Sequence, residues 1–99
     1  MTRYKIECIV STVYLETFTQ YIKESNLSGY SVLRIQEGFG KIEGKIMDDE
    51  IISISNKSLV IILASKAEKE NFMTNVIPFL NQINGLMYWS EVEFTNVDF

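Results

Sequence analysis

Histidine is absent from the 99 residues, and with it go the commonest metal ligand and the usual general base. A single cysteine excludes an internal disulfide and points to a reducing compartment. With no histidine to pair with Cys8 or with a serine, neither a Cys–His nor a Ser–His–Asp arrangement can be assembled, so no catalytic residue is assigned and an enzyme is not expected. Basic residues are outnumbered nine to thirteen, for a formal net charge of −4, which removes the electropositive footprint of a nucleic-acid binder. No stretch approaches the ~18 apolar residues of a membrane span, and Met1-Thr2-Arg3-Tyr4-Lys5 leads into no signal-type apolar run. A soluble, cytoplasmic chain is the expectation.

What is present is globular in kind, with 46% hydrophobic and 22% charged residues. The length suits one domain spanning 1–99, and a second core would not fit. At this size the core is marginal, and oligomerisation would support it.

Tyr4, Ile6, Cys8 and Val10 alternate with Arg3, Lys5, Glu7 and Ile9, the period of a half-buried strand running to Ser11. Ser11 and Thr12 offer N-cap hydroxyls to a helix carrying Tyr14, Phe18, Tyr21 and Ile22 on one face. That helix should end near Asn26, with Ser28-Gly29 as the stop. Tyr30 to Gln36 reads as a second strand, and the apolar run Leu59 to Ala64 as a central one. Ser65-Lys66-Ala67-Glu68 is a capping box, opening a helix with Phe72, Val76, Phe79, Leu80 and Ile83 on one face. Pro78 should kink that helix or end it early, and Gly85 should terminate it. Leu86 to Phe94 is a fourth strand.

The order βαββαβ, with two interleaved right-handed crossovers, predicts an α+β, ferredoxin-like fold. Its sheet has four antiparallel strands with both helices on one face. Between strands two and three lies a long loop from Glu37 to Lys57, about 20 residues where about 4–6 is usual. It holds Gly38, Gly40, Gly44 and the triplet Asp48-Asp49-Glu50, and a projecting β-hairpin with a mobile tip is expected there. No metal site is assigned: Asp48-Asp49-Glu50 lacks the alternation of a calcium loop, and Met47 has no soft-ligand neighbours.

Gly29-Tyr30-Ser31-Val32 at the start of strand two, and Gly38-Phe39-Gly40-Lys41 at the root of the loop, resemble the PII nitrogen-regulatory family. There a Gly-hydrophobic-Ser/Thr step opens the second strand and a Gly-Phe-Gly-Arg motif opens the T-loop. The order of elements matches along nearly the whole chain. The resemblance implies a homotrimeric signalling protein of a family that binds adenine nucleotides between subunits, its effector here being an adenine nucleotide, bicarbonate or a metal ion, and that moves its T-loop onto a partner such as a membrane transporter, which would place it peripherally at the membrane. The ligand-binding residues it implies are Gly29, Ser31, Gly38, Gly40, Lys41, Gly85 and Met87, with Lys41 as the placed cation.

The departures are as informative. Lys41 stands where the family has arginine, keeping the charge and losing the bidentate fork. The loop has no tyrosine to modify. Asn84-Gly85-Leu86-Met87 replaces a lysine-bearing B-loop, and the chain ends with Glu91, Glu93 and Asp98 in place of a basic segment. Triphosphate binding should be weakened, and a less charged ligand preferred. Two divergent branches look similar. One is linked to bicarbonate transport and carboxysomes. The other is linked to heavy-metal efflux and carries a turn like Gly85-Leu86-Met87-Tyr88-Trp89. A ligand-free interaction module of the same fold is the alternative from another class. Cys8, Met73 and Met87 read as packing, and Tyr88 and Trp89 as core or trimer-interface residues.

Overall fold

The structure is a computed structural model that describes residues 2–27, 29–35, 41–42, 45–46 and 56–94. Its elements run β1 (Thr2–Ser11), a 3-10 turn (Thr12–Tyr14), α1 (Leu15–Glu24), β2 (Tyr30–Arg34), β3 (Lys41–Ile42), β4 (Lys45–Ile46), β5 (Lys57–Ala64), α2 (Lys66–Ile83) and β6 (Leu86–Glu93). The main sheet has the order β2-β5-β1-β6, every neighbouring pair antiparallel. β1 and β2 are therefore parallel with β5 between them, and β5 and β6 are parallel with β1 between them. These are the two interleaved crossovers expected of the ferredoxin-like plan.

Alternation decides which face the helices cover. Ile6, Cys8 and Val10 of β1 are buried with their cross-strand partners Ile62, Val60 and Ser58 of β5, and Ala64, opposite Tyr4, is buried as well. Phe18 and Ile22 come down on them from α1, and Phe72, Val76 and Leu80 from α2. Spacings of four keep those side chains on one stripe of each helix. Phe18 and Phe72 meet edge to face at 6.0 Å, fixing the two helices over the sheet. Each such large apolar side chain contributes about 1.5–3 kcal/mol through burial.

The helix starts and stops follow expectation in part. Neither Ser11 nor Tyr14 caps through its side chain. The Thr12 hydroxyl instead pairs with that of buried Ser58 at 2.8 Å, which satisfies a polar group the core would otherwise orphan. α1 stops at Glu24, close to the expected Asn26, and Asn26 itself, at φ 57, takes the left-handed position after it. Asparagine tolerates that region better than most residues. The capping box of α2 is as expected: Ser65 N–H donates to Glu68 Oε1 at 2.7 Å, and Glu68 N–H to Ser65 Oγ at 3.2 Å. Pro78 does not end α2, which runs on to Ile83. Pro78 is exposed, so the acceptor it leaves unused faces water, and the apolar stripe holds the last turn down. At the C-terminus Asn84 is the left-handed residue, at φ 54, and Gly85 N–H donates to the Leu80 carbonyl at 2.9 Å.

Within the long connection, β3 and β4 pair antiparallel through Lys41–Ile46 and Ile42–Lys45, a two-stranded ladder separate from the main sheet. The expected mobile tip and the acidic triplet lie outside the described residues. No helix among the described residues is long and apolar enough to cross a membrane.

Candidate functional site

Among the described residues no helix covers the sheet's second face, and the strand register arranges its side chains in rows. Leu33, Leu59, Ile9 and Leu86 form one row across all four strands. Leu33 is 49% exposed and Leu86 54%. The next row reads Ser31, Ile61, Glu7, Tyr88, and the one after it places Leu63 beside Lys5 and Ser90. The face is thus aliphatic at the end where β2 leads into the 37–57 segment and mixed further along. In the mixed part Glu7 accepts from Lys5 at 3.4 Å and from the Tyr88 hydroxyl at 3.4 Å. Partial desolvation and the Glu7 carboxylate together hold the Tyr88 hydroxyl above its ordinary pKa.

The residues assigned to a ligand fall into two groups. Gly29 precedes β2 and Ser31 lies on it, exposed on the open face. Lys41 begins β3, opposite Ile46. Gly38 and Gly40 lie outside the described residues. Gly85 and Met87 belong to the turn into β6 and its start. Met87 is directed to the helix side, opposite Cys8, and packs on the core, so what it offers outward is backbone. Gly85 is favoured by packing: a Cβ there would lie 2.6 Å from Leu80 Cδ2, and that side chain would have to shift.

β2 and β6 are the two outer strands of the sheet. Three inter-strand steps separate them, roughly 14 Å. One copy of the chain therefore does not bring Gly29 and Ser31 to Gly85 and Met87.

Tyr88 and Trp89 are 43% and 45% exposed, which removes them from the subunit core to which sequence reasoning partly assigned them. Tyr88 points to the open face and Trp89 to the helix side of the β6 edge. There Lys69 of α2 places its Nζ 4.8 Å from the Tyr4 ring and 4.9 Å from the Trp89 ring. Periodicity could not show this cluster, because Tyr4, Lys69 and Trp89 meet only once β1, β6 and α2 are in register. Cys8 is fully buried, and desolvation pushes its thiol up to about 12. Among the described residues no group of three or more Cys, Asp or Glu side chains could hold a metal ion.

No model of a protein family matches the sequence, and neither does any curated protein. Solved structures do match in three dimensions. CPII, a nitrogen regulatory PII-like protein from Thiomonas intermedia bound to ADP, AMP and bicarbonate, superposes with a TM-score of 0.77 at 14% identity, over 97% of this chain and 96% of that one. The fold is the PII-like fold. A DUF3240 family protein from Shewanella baltica shares it at a TM-score of 0.71 and 12% identity, covering 98% of this chain and 97% of that one. The B. subtilis GlnK–ATP complex shares it at 0.64 and 14% identity, covering 92% and 82%. The likeness is carried by backbone topology over nearly the whole chain, with little identity of side chains.

Proposed function

We propose that this chain is a divergent PII-like regulatory protein, a cytoplasmic homotrimer that acts by binding rather than by catalysis. Its 37–57 segment answers to an adenine nucleotide held between subunits. The observation that carries the reading is the division of the candidate site between the outer edges of one sheet. Gly29 and Ser31 border one edge, and Gly85 and Met87 border the other. β2 and β6 run antiparallel to each other. A rotation about an axis along the strands therefore sets β2 of one copy beside β6 of the next without reversing either, and such head-to-tail contacts form a ring when the rotation closes. The same arrangement turns the Leu33-Leu59-Ile9-Leu86 row inward and buries it.

CPII bound to ADP, AMP and bicarbonate, and the GlnK–ATP complex, support an adenine nucleotide as the class of effector. Glu91 and Glu93 on β6 disfavour a triphosphate. The partner that the 37–57 segment contacts, for which a membrane transporter is our candidate, rests on the sequence resemblance.

Thermal unfolding with AMP, ADP, ATP and no addition tests this directly. AMP or ADP at a hundred times its dissociation constant should add about 2.7 kcal/mol. Lys41→Ala should reduce that gain and leave the unliganded midpoint unchanged. Unfolding unmoved by any of the three nucleotides would sink the nucleotide reading and favour a ligand-free interaction module.

A further inference from the structure

Three elements converge on the side chain of Lys69. Tyr4 comes from β1, Trp89 from β6, and Lys69 itself from the second turn of α2. The rings hold the ammonium at 4.8 and 4.9 Å, and Met73 Sδ lies 3.9 Å from it. Aromatic faces attract a cation through their quadrupoles but carry no negative charge to neutralise it. Among the described residues no carboxylate lies within 4.0 Å of this Nζ, the one such pair being Lys5 with Glu7. An ammonium with no direct ion pair among the described residues thus stands beside a tryptophan that stays 45% exposed. Open aromatic surface next to such a cation complements a ligand with a flat ring at one end and an anionic group at the other.

We propose that Tyr4, Lys69 and Trp89 form a subsite for a nucleoside monophosphate. The base lies on Trp89, and a phosphate oxygen accepts from Nζ of Lys69. Trp89 follows Met87 by two residues on the same strand, so this subsite adjoins the Gly85 and Met87 half of the intersubunit cleft. Glu91 sits opposite Tyr4, and Glu93 lies further along the same edge. Their charge repels additional phosphates and sets the preference for one. The inference rests on the adenine-nucleotide reading above and extends it by naming the ring platform and its cation.

Trp89 is the chain's only tryptophan, so its emission reports on this place alone. The full chain is titrated with AMP, adenosine and inorganic phosphate, following emission and binding heat in parallel. AMP should quench Trp89 saturably, and adenosine should quench it more weakly. Lys69→Gln should weaken AMP about tenfold or more, as expected for loss of a charge-assisted hydrogen bond, and leave adenosine within twofold. Lys69→Arg should retain AMP binding, since a guanidinium both stacks and donates. If Lys69→Gln fails to fold by circular dichroism, Glu91→Gln carries the test and should tighten AMP. AMP binding heat with unchanged emission, and with affinity in Lys69→Gln (or, if that variant does not fold, Glu91→Gln) within twofold of wild type, overturns the subsite but not the nucleotide reading. Phosphate binding as tightly as AMP overturns it as well. Absence of heat with AMP, together with unfolding unmoved by AMP, ADP and ATP, overturns both.

Discussion

A methyl group on Gly85 would stand 2.6 Å from Cδ2 of Leu80, closer than non-bonded carbon atoms pack. Leu80 is buried in the core, so the clash moves a packed side chain and not a free one. Gly85→Ala should cost about 1–3 kcal/mol by overpacking, read as a lower urea midpoint. Gly29 is the control. Nothing lies within 4 Å of a Cβ there and its backbone is not left-handed, so Gly29→Ala should be neutral or stabilise by up to about 1 kcal/mol. Equal losses in both variants would mean that packing does not explain Gly85.

How much of this was legible in the sequence varies with the kind of signal. Alternation in Tyr4 to Val10, the apolar run Leu59 to Ala64 and the Ser65–Glu68 box each report a local period or a local hydrogen bond, and the elements formed there. Helix ends were less legible, because several residues compete for one left-handed position and Asn26 and Asn84 took it from the neighbouring glycines. The aliphatic row was not legible at all. Leu33, Leu59, Ile9 and Leu86 are scattered through the sequence and align only once three strand registers are fixed. The same holds for Lys69 between its two rings. Composition could suggest an aromatic-rich interface, but not which face of β6 each aromatic takes.

Ser25 follows the last residue of α1, and its hydroxyl is buried with no hydrogen-bond partner among the described residues. An orphaned buried polar atom costs about 1–3 kcal/mol, while its backbone N–H is already bonded to the Tyr21 and Ile22 carbonyls. Ser25→Ala removes the orphan and keeps those bonds. It should raise stability by about 1 kcal/mol in urea titration. A loss instead would reveal a bonded hydroxyl.

Cys8 gives a pH dependence with a defined sign. Burial raises the folded thiol from 9.0 to about 12, so the native state favours the protonated form. The associated stability is fully present below pH 9.0 and is lost as pH rises towards about 12. Cys8→Ala should flatten the stability profile in that window. At neutral pH a thiol-specific reagent should label Cys8 only as fast as the chain unfolds. Rapid labelling of the native protein would contradict its burial.

The open face yields the last prediction. Leu33 and Leu86 mark the two ends of an aliphatic row, half-exposed on the outer strands, while Leu59 and Ile9 fill its centre. Such a row is stable in water only at a cost, and burying it between copies recovers about 25 cal/mol per Å² of apolar surface. Leu33→Lys places an ammonium in that surface without touching the helix-side core, because Leu33 does not contribute to the buried cluster. The variant should keep its far-UV circular dichroism and fall from trimer to monomer mass by light scattering at micromolar concentration. Asn75→Lys, exposed on α2 and away from both sheet edges, is the control and should leave the mass unchanged. A wild-type mass of one subunit would remove the trimer. A Leu33→Lys trimer would place the interface on some other surface.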